Sequence, residues 1–559
     1  MNQRKIFNVA AKPITAIICG VFLFGMLSGA ASGNFFDRKI TQSKSFKETA
    51  LSAPGKTLRI DKTNADLTIT ASDQNDIVVE AKVDVADTKK DLLDAFLAET
   101  KLVLEPVADG FLVRLESPMD EKHRDGFDNK NFRVGNSLVI KNFSFSAQIS
   151  IRVPASQSLI VDNQFGDISI KGVTGNHEVD NESGTVKISA CGGELELRNS
   201  FDLVEVADFK GPVNIENESG EVVLTNIAGK TEARNSFKPV KFTKIGGPLI
   251  IRSESASVVG SDVAGDCLIK TSFQTIDVRA VQGRLEVQGE GSEVKIDGVK
   301  KEALIESSFK PVRATNIDGG LTVRSESCSV TAEDIGLDAS LKSSFQTISA
   351  ARVRGSVTVD GESSSVTLSN IDGDATVASS FKDVTVNNVG GKLDIRSESA
   401  KVTAADIKKG ASIASSFHSI EARRVGGDFK AGGESSSVLA EDIAGNVDVN
   451  NSFKSVILRQ TSGSIIVRGE SSSVEVSQIK NLPKGSIIDI RTSFKPILIS
   501  FPAAAELRVT ARTEFGKIRS DFPVYLEDSG ERKQVRFETG KGGIEVTLET
   551  SSDITIKKD

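Results

Sequence analysis

Phenylalanine returns every 36 residues without slippage, at Phe165, Phe201, Phe237, Phe273, Phe309, Phe345, Phe381, Phe417 and Phe453. Glutamate interleaves at the same period and 17 residues on, at Glu182, Glu218, Glu254, Glu290, Glu326, Glu362, Glu398, Glu434 and Glu470. A half-period underlies both, since the positions 18 apart from Ile168 to Val474 are all Val or Ile. One 18-residue unit cannot bury an apolar face by itself. Identical units must stack and enclose a shared core.

Within a unit the apolar residues fall at offsets 0, 2, 5, 9 and 11, as in Val240, Phe242, Ile245, Leu249 and Ile251. A spacing of two marks strand, and a step of three or four marks a corner that resets the phase. Gly at offset 7, as in Gly247, Gly265 and Gly283, is expected to supply backbone freedom at one corner. The fold class is therefore all-β: a single-stranded parallel β-solenoid (β-helix) of about 18 residues per coil, paired into 36-residue repeats, with β-rich caps at both ends. Sixteen coils from Phe165 to Phe453 make a rod of about 77 Å at the usual strand spacing.

The position three before each Val or Ile is Phe in one coil and Ser or Gly in the next, Gly291 among them. Rings in alternate coils, about 9.6 Å apart, can each lean over the small residue between, and large and small side chains then fill one corner together. The competing reading is an exposed Phe stripe used for binding. A slower rhythm of 72 residues places Lys238, Lys310, Lys382 and Lys454 directly after Phe, and Arg252, Arg324, Arg396 and Arg468 before the glutamates.

The ends differ from the array. Residues 1–30 carry Arg4, Lys5 and Lys12 before a short apolar run, Ile14 to Leu27, and then "SGAASG", the pattern of a signal peptide cleaved after Ala30. The alternative is a retained N-terminal anchor; Cys19 follows bulky Ile18 and is not read as a lipidation site. Residues 31–140 form an N-terminal β-rich cap, with a short helix at "DTKKDLLDAFLAET", a hairpin at 101–117 and a charged projecting loop at 117–136. The repeats occupy 141–500, and 501–559 form a C-terminal β cap after the period slips by five residues at "KNLPKG".

The end segments "LRIDKTNADLTITASDQNDIVVEA", "ISIRVPASQSLIVDNQFGDISIKGVTG" and "GKGGIEVTLETSSDITI" resemble the bacterial "putative adhesin" β-strand-repeat family, a domain-of-unknown-function group of exported or membrane-anchored envelope proteins. The resemblance covers most of residues 55–559. It implies a β-solenoid and an envelope location, and it brings no active site with it.

The residues themselves carry no catalytic signature. The glutamate comb repeats along the whole rod, whereas a catalytic site is local, and carboxylates about 9.6 Å apart cannot share a cation. His123, His177 and His418 have no Cys or Asp partner at zinc or catalytic spacing. After removal of the leader, Cys191, Cys267 and Cys328 remain, an odd count without CxxC spacing, and they read as buried small residues. A formal charge of -7 and the absence of Trp leave no basic aromatic surface for nucleic acid. No catalytic residue, metal site or cofactor is expected.

The reading is a non-enzymatic structural or interaction protein, adhesin-like, in the periplasm, cell envelope or cell surface. Its partner is an unidentified envelope or surface polymer or protein, with membrane contact only through an uncleaved N-terminal segment. The surface offered is the Lys238, Lys310, Lys382 and Lys454 column, the Arg252, Arg324, Arg396 and Arg468 column and the glutamates Glu254, Glu326, Glu398 and Glu470, multiplied by repetition. Two alternatives are a self-assembling, bactofilin-like scaffold and a β-helix polysaccharide-active enzyme.

Overall fold

A computed structural model describes residues 39–559 apart from 54, 120–131, 135–136, 140–142 and 529–532. The signal segment and most of the charged loop lie outside the described residues. Each coil contributes two strands, one to each of two parallel sheets. Val222, Val240, Val258 and Ile276 stand in register down one sheet. Leu249, Cys267 and Leu285 do so down the other. The two faces enclose the core as columns of like residues, and Val240, Phe242, Ile245, Leu249 and Ile251 are all buried.

The step from offset 2 to offset 5 lies inside one strand and is a bulge. In the strand Val240–Ile245, Thr243 and Lys244 both face solvent and Ile245 turns inward. Lys244 has a left-handed backbone, φ 57°, and its neighbours Thr243 and Ile245 pair with Ser261 and Val263 while it is skipped. The next coil repeats this with Asp262, and further coils do so with Asn316, Asp334, Asn370 and Asp406. Asn and Asp are the residues that best tolerate that conformation. The recurrent left-handed site is thus at offset 4, and the expectation for Gly at offset 7 holds at Gly463, φ 74°, but is corrected for most coils. Gly265 and Gly283 have no positive φ; they are small because the coils approach closely, and a Cβ on Gly283 would lie 2.4 Å from the Gly265 carbonyl oxygen.

At the N-terminal end the coil Thr57–Thr63 and Asp66–Ser72 lies directly against the coil of Phe165. Strands Gly110–Glu116 and Ser144–Pro154 stack outside it. The antiparallel strands Asp76–Asp87 and Ile40–Leu51 extend one sheet further. The hairpin partner Lys101–Val107 extends the other. A helix, Lys90–Glu99, buries Leu93, Phe96 and Leu97, with the Phe96 ring 4.9 Å from Phe143 and 5.8 Å from Phe145.

The C-terminal end departs from chain order. The coil Ile544–Thr550 and Ile554–Lys558 is inserted between the coil Ile487–Arg491 and Ile497–Phe501 and the coil Leu507–Thr513 and Ile518–Ser520. Strands Lys533–Glu538 and Tyr525–Asp528 then close the stack antiparallel.

Candidate functional site: an exposed aromatic edge

The corner that joins the end of one sheet to the start of the other is built from two interlocked layers. Five residues before the Val or Ile, many coils bury a polar side chain, whereas Gly289, Gly361, Gly433 and Gly469 hold that position in others. In the first coils it is Asn, and Asn163, Asn181, Asn199 and Asn217 form a buried ladder in which each Nδ2 donates to the next Oδ1 at 3.0, 3.0 and 3.4 Å. Later coils use Thr271, Ser307, Ser343 and Ser415 there, each hydroxyl donating to a backbone carbonyl of the same corner. In the coils between the rings, the residue two before the Val or Ile, such as Ala256, Ser292 or Cys328, is small and also buried. These inward layers fill the corner.

The Phe position lies between them and points out. Exposure runs from 56% at Phe453 to 67% at Phe273 and Phe309, so the expectation that these rings fill the corner is corrected. The Phe273 ring does lean on the small residue of the neighbouring coil: a Cβ on Gly291 would come 2.9 Å from its Cδ1. Phe273, Phe309 and Phe345 adopt φ of 63° to 64°, a costly state for a bulky residue. Their amides donate to the carbonyls of Glu290, Glu326 and Glu362 in the next coil, at 2.8, 2.9 and 2.9 Å.

The edge is longer than the 36-residue comb. Phe494, 71% exposed, and Phe515, 78% exposed, each stand three residues before an inward Ile, Ile497 and Ile518. Between their coils lies the inserted coil, whose corner carries Ser551: its N–H donates to Ser493 and its carbonyl accepts from Phe515, at 2.8 and 3.2 Å. Chain order is broken here, yet the alternation of ring and small residue continues in space. Eleven rings therefore line one edge over twenty coil steps, about 96 Å.

The charged candidates divide between two places. The Arg column lies on the second sheet and is engaged within the chain: Arg252 with Glu232, Arg324 with Glu306 at 3.1 Å, Arg396 with Asp394 at 3.3 Å and Arg468 with Asp489. Lys238, Lys310, Lys382 and Lys454 follow the rings on the aromatic edge, and Glu254, Glu326, Glu398 and Glu470 lie one position before the ring column in the alternate coils, all four exposed. Among the described residues these lysines and glutamates make no ion pair within the chain. Exposed pairs elsewhere on the rod are common, as in the two-bond contact of Arg352 with Asp334, at 2.6 and 2.8 Å, which holds the Asp334 carboxyl below the usual carboxylate range.

Cys191, Cys267 and Cys328 are all buried, and desolvation pushes the Cys267 thiol up to about 12. Among the described residues no three His, Cys, Asp or Glu side chains gather as a metal-binding group. A concavity of about 770 Å³ near the C-terminal cap is lined by Arg491, Arg512, Lys533 and Glu549, but both arginines already pair with Glu549.

No family model matches the chain. No curated protein matches it either. Among solved structures, a "putative cell adhesion protein" from Clostridium sporogenes is 11% identical over 46% of this chain and 100% of its own, with a TM-score of 0.16. A "putative adhesin" from Parabacteroides merdae is 8% identical over 63% of this chain and 96% of its own, also with a TM-score of 0.16. Likeness at that level carries no argument about function, which rests on the edge itself.

Proposed function

We propose that this chain is an exported, non-enzymatic, adhesin-like rod of the cell envelope that acts through repeated contacts along its aromatic edge. The observation that carries this is the exposed, regularly spaced Phe column, flanked by lysines and glutamates that, among the described residues, make no ion pair within the chain. A soluble chain that holds eleven rings in water over this length exposes far more contiguous apolar surface than a monomer ordinarily does. Many weak, evenly spaced contacts give avidity without any single strong site. The closing antiparallel strands at both ends do not continue the coil register, which favours lateral contact over end-to-end growth.

Two measurements test the reading. Mass spectrometry of the protein recovered from fractionated cells is expected to find a mature form beginning at residue 31 outside the cytoplasm; an intact cytoplasmic chain would refute export. Serine replacement of two, four and then all eleven edge phenylalanines is expected to weaken co-sedimentation with isolated envelopes step by step. Complete loss at one pair would place function in a local site and overturn the avidity reading.

A further inference from the structure

Taking the aromatic edge as the working surface, which is all that is borrowed from the preceding section, we propose that it receives an extended, proline-rich and basic segment of a partner protein in the polyproline II conformation.

The spacing of the rings selects that conformation. They stand two coils apart, about 9.6 Å at the usual strand spacing. A polyproline II helix turns once in three residues and rises about 3.1 Å per residue, so like side chains recur about every 9.3 Å. The mismatch is about 0.3 Å per turn, or about 1.2 Å over twelve residues. An α-helix returns the same face about every seven residues, at about 10.5 Å, and slips about three times as fast. A β-strand repeats at about 6.6 Å and turns every third residue to its opposite face. Of the three, polyproline II keeps step with the comb.

The edge also offers the two kinds of polar group that such a segment needs. A polyproline II backbone has no internal hydrogen bonds, so its carbonyls seek donors. From Lys238 to Lys495 the residue after each ring is an exposed Lys, Gln or His, a row of donors beside the rings. On the other side of the ring position the glutamates from Glu182 to Glu470 recur once per turn of the ligand. All nine are exposed, and among the described residues none makes an ion pair within the chain. With Asp202 they outnumber the five lysines of the donor row, so the edge is net acidic. It selects Lys or Arg in one flanking row of the ligand and disfavours anionic polymers. Prolines then form the row that lies on the phenylalanines, since aromatic-lined surfaces are the usual readers of this conformation. Phe273, Phe309 and Phe345 share φ of 63° to 64°, with their amides bonded to the next coil, so the rings are spaced before the ligand arrives. Two preformed partners lose little entropy on meeting.

Fluorescence anisotropy of labelled peptides with the purified protein tests this. A peptide of five Pro-Pro-Lys triplets is expected to bind about tenfold more tightly, or better, than the same residues with all lysines grouped at one end, which keeps the charge and breaks the period. Five Pro-Pro-Glu triplets are expected not to bind. Phe→Ser at all eleven rings should abolish binding in a chain whose circular dichroism and melting are unchanged. Glu→Gln at the nine column positions should erase the advantage of Pro-Pro-Lys over Pro-Pro-Gln while both still bind. Equal binding of the periodic and grouped peptides, or a preference for Lys that survives loss of the glutamates, would overturn the proposal. Ring-dependent binding of chitohexaose without binding of any peptide would also overturn it and give the edge to a β-linked glycan. In these cases co-sedimentation with envelopes that still needs the rings would leave the edge reading standing. Envelopes and peptides that both bind as well without any ring would overturn the two together.

Discussion

The Phe273 ring lies over Gly291 in the next coil, so close that a Cβ on Gly291 would sit 2.9 Å from the ring's Cδ1. Gly291 has φ 63°, and the equivalent Ser327 and Ser363 have φ of 54° and 55°, so a small side chain is tolerated there but a branched one is not. Gly291→Ser should be nearly neutral. Gly291→Val should cost about 1–3 kcal/mol through strain and displacement of the ring. Hydrogen exchange is expected to speed up at the amides of Phe273 and its neighbours and stay unchanged several coils away, since coils interact only with their neighbours. Uniform acceleration along the rod would contradict this.

His177 occupies a column position between Leu159 and Leu195, 2% exposed, with its ring edge-on to Phe209 at 6.0 Å. One ring nitrogen lies 3.2 Å from the Val173 carbonyl and Nδ1 has no partner. Burial lowers its pKa, so the folded chain resists the proton that the unfolded chain accepts below about pH 6.5. Stability is therefore expected to fall as the pH drops through that value. His177→Leu should raise the melting temperature in acid more than at pH 8, and equal gains at both pH values would refute the linkage.

Much of this was legible in the sequence because the period is long-lived and the columns are pure. The Val and Ile at every eighteenth position fixed the coil length, and the "DLLDAF" stretch gave the helix in the cap. The fate of Phe237 and its equivalents was harder to read, since composition alone makes Phe a core residue. Spacing alone did not hold the signal: two before the inward Val, Ala256 and Cys328 are buried whereas Lys238 and Lys310 are exposed, so the corner turns its residues differently in alternate coils. The left-handed bulge was masked because Lys244, Asp262 and Ala280 share a backbone state and not a side chain. The inserted coil escaped because hydrophobic spacing records which residues face inward, and says nothing of which coil they stack upon.

The Asn ladder concentrates buried polar groups in the first coils. Asn181 accepts from Asn163 at 3.0 Å and donates to Asn199 at 3.0 Å and to the Gly184 carbonyl at 3.1 Å. Asn181→Ala would strand the Asn199 Oδ1 and one proton of Asn163 in a dry corner, at about 1–3 kcal/mol for each group left unpaired. Urea melts of the variant are expected to show early loss of the N-terminal coils, with the later Ser-lined coils following at their original midpoint. A single unchanged transition would mean that water replaces the amide without penalty.

The inserted C-terminal coil makes the last part of the rod depend on its final residues. Val546, Leu548, Ile554 and Ile556 are at most 1% exposed, and each contributes about 1.5–3 kcal/mol of burial. Ile554 pairs on one side with Ile497 and on the other with Ile518, so the coil 507–520 reaches the rod only through it. A chain stopped after Lys541 should therefore lose more than it lacks. Residues 502–541 are expected to become sensitive to protease, and the edge Ile487–Arg491, left with unpaired backbone groups, should promote aggregation. Coils up to Glu470 should keep their protection, because each is held by neighbours on both sides. The sharp alternative is collapse of the coil 507–520 directly onto 487–501, which would bring Phe494 and Phe515 into adjacent coils without a small residue between them. Crowding of those two rings disfavours it, and protease resistance retained across 507–520 in the shortened chain would show that the rings can be accommodated after all.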